Sequence, residues 1–337
     1  MKQHWIIPEQ YPNPLGVRDT LNAIKQLKDY FEHELAGALH LTRVSAPLIV
    51  SQHSGLNDDL SGVERPVAFD LLNIPGVNAQ IVQSLAKWKR VALAQYEFSP
   101  GEGLYTDMNA IRRDDDMDNL HSVYVDQWDW ERVITPQERT LDFLQKIVRR
   151  IFSVFHGAQA YITGLYPELQ KFVPEDVAFI TAQELEDRYP DLTPVERENA
   201  YAREKGAIFV MQIGGKLRSG EVHGTRAPDY DDWSLNGDLI FWYPILGCAV
   251  ELSSMGIRVD EAALLRQLEE AGCPERGALP FHQSLLQGKL PLTIGGGIGQ
   301  SRICMVLLNK AHVGEVQASL WPGEQAESCY QAGIRLL

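Results

Sequence analysis

The chain has 337 residues, 45% of them hydrophobic, and 45 acidic against 31 basic side chains give it a net charge of −14. That length and apolar fraction suit a globular protein with a substantial core, while so negative a surface argues against a nucleic-acid partner. No stretch approaches the roughly 18 uncharged apolar residues of a membrane span, and prolines 8, 12 and 14 with charged neighbours break any secretory leader, so a cytoplasmic protein with no membrane association is expected.

From the N-terminus, Val17, Leu21, Ile24, Leu27, Phe31 and Leu35 recur at steps of three and four and predict one stripe of an amphipathic helix. Leu41 to Val50 reads as a strand whose Pro47 favours an edge. Thr135 with Glu138, Thr181 with Glu184 and Thr193 with Glu196 are capping boxes that predict three helix starts, two of them with a proline at the first helical position. Strands are expected over His121–Trp130, Ile208–Ile213, Leu239–Tyr243 and Ala249–Val259, and a further helix from Asp260 to Ala271 stopped by Gly272. Runs of strands with clustered helices indicate an α+β fold with an antiparallel sheet, and one domain over 1–337.

Cys248, Cys273, Cys304 and Cys329 are too scattered for a disulfide framework or a zinc cluster. The nine histidines show no metal-ligand spacing, which leaves oxygen ligands and Mg²⁺ as the metal chemistry to expect. Alternation along the 121–131 strand puts Gln127, Asp129 and Glu131 on one face and Tyr124, Asp126, Trp128 and Trp130 on the other. Such a strand either lines a cleft or lies at a solvated edge. Glu251 and Ser253 share a strand face ahead of Gly256, where the chain is expected to turn; these oxygens suit Mg²⁺ or an amino-acid zwitterion, though a plain turn explains the glycine equally well. The run Gly295-Gly-Gly-Ile-Gly299 before Gln300-Ser-Arg302 reads as a glycine-rich strand end feeding a helix, a place for a nucleotide phosphate or merely a flexible turn. It is neither a P-loop nor a Rossmann fingerprint. Basic residues stand out at Ser84-Leu-Ala-Lys-Trp-Lys-Arg90 and Ile111-Arg-Arg113, either as an anion site or as surface salt bridges.

In order along the chain, Gly55-Leu-Asn-Asp-Asp-Leu-Ser-Gly62, Ser84 to Arg90, Gly101-Glu-Gly-Leu-Tyr-Thr106, His121 to Glu131, Arg226-Ala-Pro-Asp-Tyr-Asp-Asp-Trp233, Leu235-Asn-Gly-Asp238, Glu251 to Arg258 and Gly295 to Arg302 resemble the ammonia-dependent asparagine synthetases. These aspartate–ammonia ligases share the class II aminoacyl-tRNA synthetase catalytic fold. The resemblance covers essentially the whole chain.

It implies synthesis of asparagine from aspartate, ATP and ammonia through a β-aspartyl-adenylate, with AMP and pyrophosphate released. It also implies a homodimer whose interface includes Leu41–Pro47. By resemblance, Arg112 would meet the ATP α-phosphate and Arg302 the far end of the triphosphate, with Ser253 and Gly297 beside the nucleotide. Asp238 and Glu251 match positions near the phosphates and would hold Mg²⁺. Asp58, Ser84, Lys89, Gln127, Asp129, Asp231, Ser254 and Arg258 match positions around the amino acid and acyl group. Asp58 or Asp231 would accept the proton of ammonium.

Two departures stand out: Gln83 where many members have His, and a short connection at Trp233–Leu235 where some insert a loop. Glutamine-dependent synthetases resemble one another in an N-terminal nucleophilic cysteine, whereas here residue 2 is Lys and no cysteine precedes Cys248. A tRNA synthetase would need an anticodon-binding domain and a basic RNA face, and neither is visible.

Overall fold

In the computed structural model, residues 5–9, 11–58, 60 and 64–337 are described. The strands are β1 (Leu41–Arg43), β2 (Ile49–Ser51), β3 (Ala68–Asp70), β4 (Asn78–Ile81), β5 (Gly103–Ile111), β6 (Tyr124–Val133), β7 (Ala178–Thr181), β8 (Ala207–Met211), β9 (Asp231–Tyr243), β10 (Cys248–Arg258) and β11 (Thr293–Gly299). The helices are α1 (Val17–Leu39), α2 (Ala86–Gln95), α3 (Leu141–Leu165), α4 (Ala182–Arg188), α5 (Pro194–Lys205), α6 (Glu261–Glu270), α7 (Pro280–Leu286), α8 (Gln300–Leu307) and α9 (Gly323–Gln331).

The main sheet runs β1-β5-β6-β11-β10-β9-β8-β7, and β2-β4-β3 form a small second sheet. From β5 to β8 every neighbouring pair is antiparallel, as expected. The two edges depart from this, since β1 lies parallel to β5 and β7 parallel to β8. A parallel pair needs a long crossover, and α4 with α5 supplies one between β7 and β8. The result is a mixed central sheet flanked by helices.

One face of this sheet is the main core. Trp128 and Trp130, on the same side of β6, are buried there with α1 and α3 residues, and Phe31 of α1 stacks on Trp128 at 4.8 Å between ring centroids. The buried stripe of α1 is Thr20, Ala23, Leu27, Phe31, Leu35 and Leu39. Val17 and Leu21, expected in the stripe, are about half exposed instead, and Thr20 takes the buried position of the first turn.

Three local expectations change. Leu41–Val50 is two strands, since Pro47 has no N–H to continue a ladder; β1 joins β5 and β2 joins β4. The Thr135–Glu138 box closes only a 3₁₀ turn, and α3 starts at Leu141 with the Thr140 hydroxyl accepting from Phe143 N–H at 3.2 Å. A capping box marks where helical geometry begins, not how far it continues, and a second cap five residues on took over the long helix. The boxes at Thr181 and Thr193 start α4 and α5. Gly256 sits within β10 and the chain does not turn there; a Cβ at that position would stand 2.7 Å from the Asp231 carboxylate.

Candidate active site

Opposite the tryptophans, the same strand β6 presents Gln127, Asp129 and Glu131 toward α2, which packs on β5, β6 and β11. Two cavities open on this side. The smaller, about 90 Å³, is lined by Asp58, Ser84, Lys89, Arg112, Gln127, Asp129, Tyr230, Asp231, Ser254 and Arg258 among others. The larger, about 510 Å³, is lined by Arg112, Asp115, His121, Gln127, Glu251 and Arg302 among others, and its size falls in the range of small-molecule sites. Arg112, Gln127 and Gly297 belong to both walls.

All eight residues expected around the amino acid therefore converge on the small cavity, although they come from five separate stretches of chain. Its charges are closely paired. Lys89 bonds Asp129 and also donates to the carbonyls of Trp130 and Gly296 at 2.9 and 3.2 Å. Arg258 donates to Glu131 with Nη2 at 2.7 Å and to Asp231 with Nη1 at 2.5 Å. Glu131 is fully buried and also accepts from the Thr293 hydroxyl at 2.7 Å. Burial alone would push its carboxyl up, but Arg258 and Lys89 outweigh that and hold it below the usual carboxylate range.

The glycine-rich run of β11 lines both cavities through Gly297 and has a second task as well. Gly295 pairs with Glu131 across the ladder. A Cβ at Gly295 would overlap the Glu131 carboxylate and one at Gly297 the Gln127 amide, so these glycines make room for polar side chains crossing the sheet face. The strand end itself does feed α8, whose Arg302 donates to the carbonyls of Leu120 and Glu251 at 3.2 and 3.0 Å beside the large cavity.

A β-bulge between Glu251 and Ser253 shifts the alternation of β10. Ser253 consequently turns away, 1% exposed, its hydroxyl donating to the Gly297 carbonyl at 3.0 Å, and it lines neither cavity. Ser254 faces the small cavity and Glu251 the large one.

Asp238 also lies behind the walls. Its Oδ2 pairs with Arg226 while the buried Oδ1 has no hydrogen-bond partner among the described residues. Burial pushes its carboxyl up to about 7, Arg226 opposing and nearby Glu251 adding to the rise. An orphan carboxylate oxygen near a second carboxylate is a donor set that fits Mg²⁺, a cation that keeps waters and substrate phosphates as its remaining ligands. No cage of three or more His, Cys, Asp or Glu exists among the described residues.

The two candidates for accepting a proton differ. Asp231 is held by Arg258, whereas Asp58, 3% exposed, uses Oδ1 to accept from Leu60 N–H at 3.0 Å and leaves Oδ2 without a partner among the described residues. Burial raises the carboxyls of both above the usual range. Asp59, Ser61 and Gly62 of the same string lie outside the described residues. Gln83 is fully buried; its side-chain amide donates to the Asp58 main-chain carbonyl at 2.8 Å, and its main-chain carbonyl accepts from Arg112 Nε at 3.3 Å. The short Trp233–Leu235 connection runs inside β9. Glu131, which the alternation of β6 put on the right face, was given no role by the sequence, and nothing local marked Tyr230, which lines the small cavity.

A family model described as aspartate-ammonia ligase matches residues 18–333. The chain is 63% identical over 331 residues to an aspartate–ammonia ligase of Clostridium perfringens, covering 98% of each chain. It is also 63% identical over 332 residues to one of Ruminiclostridium cellulolyticum, covering 98% of this chain and 99% of that one. Among solved structures, asparaginyl-tRNA synthetase of Pyrococcus horikoshii complexed with asparaginyl-adenylate superposes with a TM-score of 0.65 at 14% identity, covering 93% of this chain and 73% of that one. The Entamoeba histolytica enzyme with the same adenylate gives 0.59 at 15% identity, and this chain spans 66% of its length. At such identities the likeness is one of fold.

Proposed function

The chain belongs to the aspartate–ammonia ligase family, and from that premise we propose that it activates the β-carboxylate of aspartate with ATP and lets free ammonia displace AMP. The observation that carries this is the pair of cavities sharing Arg112, Gln127 and Gly297. A carboxylate seated in the small, cation-bearing cavity would meet the α-phosphorus of a nucleotide seated in the large one at that shared wall.

Lys89 and Arg258 supply positive charge to hold the amino acid's carboxylates, and their anchoring to Asp129, Glu131 and Asp231 fixes where that charge stands. Arg112, at the shared wall, would stabilise charge growing on the α-phosphate, and Arg302 the triphosphate's far end. The carboxylate oxygen bonds to phosphorus and pyrophosphate leaves. Asp238 and Glu251 would hold Mg²⁺, which when bound neutralises phosphate charge.

In the second step Asp58 takes a proton from ammonium on Oδ2. The freed lone pair attacks the acyl carbon, the C–O bond to AMP breaks, and a second proton is lost to solvent as the amide forms. The proposal includes one synthetase-like catalytic unit without a nucleic-acid partner, acting as a homodimer through Leu41–Pro47; a monomer in sedimentation at micromolar concentration would reject the last point.

Purified protein given ATP, Mg²⁺, aspartate and ammonium should form asparagine, AMP and pyrophosphate. ADP as product, or a need for tRNA or glutamine, rejects the mechanism. Arg112→Ala should lower aspartate-dependent exchange of pyrophosphate into ATP by about 10²-fold or more, the usual cost of losing such a donor.

A further inference from the structure

Arg226 has no part in the two steps above, yet it is ion-paired to one of the carboxylates assigned to Mg²⁺. The β9–β10 ladder sets Asp238 opposite Ser254 and Glu251 opposite Ile240, so the two carboxylates share a sheet face as diagonal neighbours, roughly 7–8 Å apart at the backbone. Asp238 is 6% exposed; its Oδ2 pairs with Arg226 Nη2, while its Oδ1 and Arg226 Nε have no partner among the described residues. The segment that carries Arg226 is pinned on both sides. His223 Nε2 lies 2.8 Å from Glu198 Oε1 on α5, and Asp229 Oδ2 lies 3.2 Å from Lys87 Nζ and 3.0 Å from His282 Nε2. What can move there is the Arg226 side chain rather than its backbone.

We propose that Arg226 is the resident cation of the Asp238–Glu251 metal seat, and that it gives up Asp238 to Mg²⁺ only when the metal arrives on a nucleotide whose phosphates can receive the guanidinium. It rests on the reading of Asp238 and Glu251 as the residues that hold Mg²⁺. Two carboxylates carry more negative charge than one guanidinium neutralises, and the bare Oδ1 of Asp238 is costly without a donor or a cation. A divalent ion entering alone would meet Arg226 as a like charge and, on taking Asp238, would leave the guanidinium buried without a counter-ion. A metal–nucleotide complex removes that obstacle, because phosphate accepts the same forked pair of N–H groups that carboxylate does. Arg226 therefore closes the seat to free metal and reserves it for metal bound to the substrate.

The test measures Mn²⁺ binding by electron paramagnetic resonance of the free ion, with and without α,β-methylene-ATP. Without nucleotide, Arg226→Gln should bind one Mn²⁺ about tenfold or more tighter than the unaltered protein. Arg226→Lys keeps the charge and should bind it as weakly as the unaltered protein, and adding Asp238→Asn to Arg226→Gln should abolish the gain. In the unaltered protein, which needs no variant to fold, the nucleotide should tighten Mn²⁺ binding by about tenfold or more beyond what free nucleotide holds. Equal affinities of Arg226→Gln and the unaltered protein overturn the exchange, as does a gain shared by Arg226→Lys or surviving Asp238→Asn. Mn²⁺ binding to the unaltered protein that is as tight without nucleotide as with it overturns the exchange too. If Asp238→Asn by itself binds the Mn²⁺–nucleotide complex as the unaltered protein does, the metal reading beneath the proposal is what fails.

Discussion

Glu131 and Gly295 face one another across the β6–β11 ladder, and the carboxylate of the first occupies the space a side chain of the second would need. Through that contact a glycine outside the cavity governs Arg258 and Lys89 inside it, because Glu131 bonds one and lies 3.7 Å from the other.

Gly295→Ala should therefore act at a distance. The added methyl either strains the pair, at about 1–3 kcal/mol, or displaces Glu131 and weakens a buried ion cluster, where losses run to about 3–5 kcal/mol. We expect a lower urea midpoint together with a raised aspartate KM and a smaller change in that for ATP. Stability and aspartate dependence both at the level of the unaltered protein would show that Glu131 has room to move.

The two serines of β10 should separate by phenotype. Ser253→Ala removes a buried hydroxyl from the Gly297 carbonyl and should cost about 1 kcal/mol of stability with little effect on either substrate. Ser254→Ala should raise the aspartate KM several-fold. Steady-state kinetics on both variants decides, and the reverse pair of phenotypes would refute the division of roles between the two serines.

A buried pair that lines neither cavity predicts opposed pH dependences. Burial pushes the Glu315 carboxyl up to about 7, although the Tyr11 hydroxyl donates to it and Lys310 is near. Burial pushes His312 down to about 4. A carboxyl with a raised value keeps in the folded state a proton that the unfolded chain loses, so its contribution is present below about 4.5 and lost as pH rises through about 7. A depressed histidine contributes above its usual 6.5, and that contribution is lost as pH falls toward about 4. The slopes oppose one another over most of this range. Glu315→Gln should expose the histidine slope, with stability rising from pH 4 to 6.5 by on the order of 3 kcal/mol, and His312→Asn the reverse. Urea midpoints across pH read both; identical profiles for the two variants would refute the assignment.

Much of the site was legible because it is written in strand alternation and in motif order. Gln127, Asp129 and Glu131 were placed on one face of β6 by a period of two, and they are there, with the tryptophans on the other. The same rule failed for Ser253, since a bulge adds a residue that no local pattern announces. For the glycines of β11 composition suggested only a close approach to a phosphate or a flexible turn; Gly297 does line the large cavity, and the ladder adds a second need for empty space that composition did not show.

What the sequence by itself determined is the family, the amphipathic and alternating elements, two of the three capped helix starts and the inventory of arginines and carboxylates, all of which depend on residues close together in the chain. Only the tertiary structure decided how those charges are matched. Glu131 meets Arg258 127 positions away and Asp229 meets Lys87 at a distance of 142, and which oxygen is left open, on Asp58 or on Asp231, follows from those pairings. Hydrogen bonds and ion pairs act over a few ångströms in space and are indifferent to separation along the chain, so the choice between two equivalent carboxylates exists only once the sheet has brought their partners together.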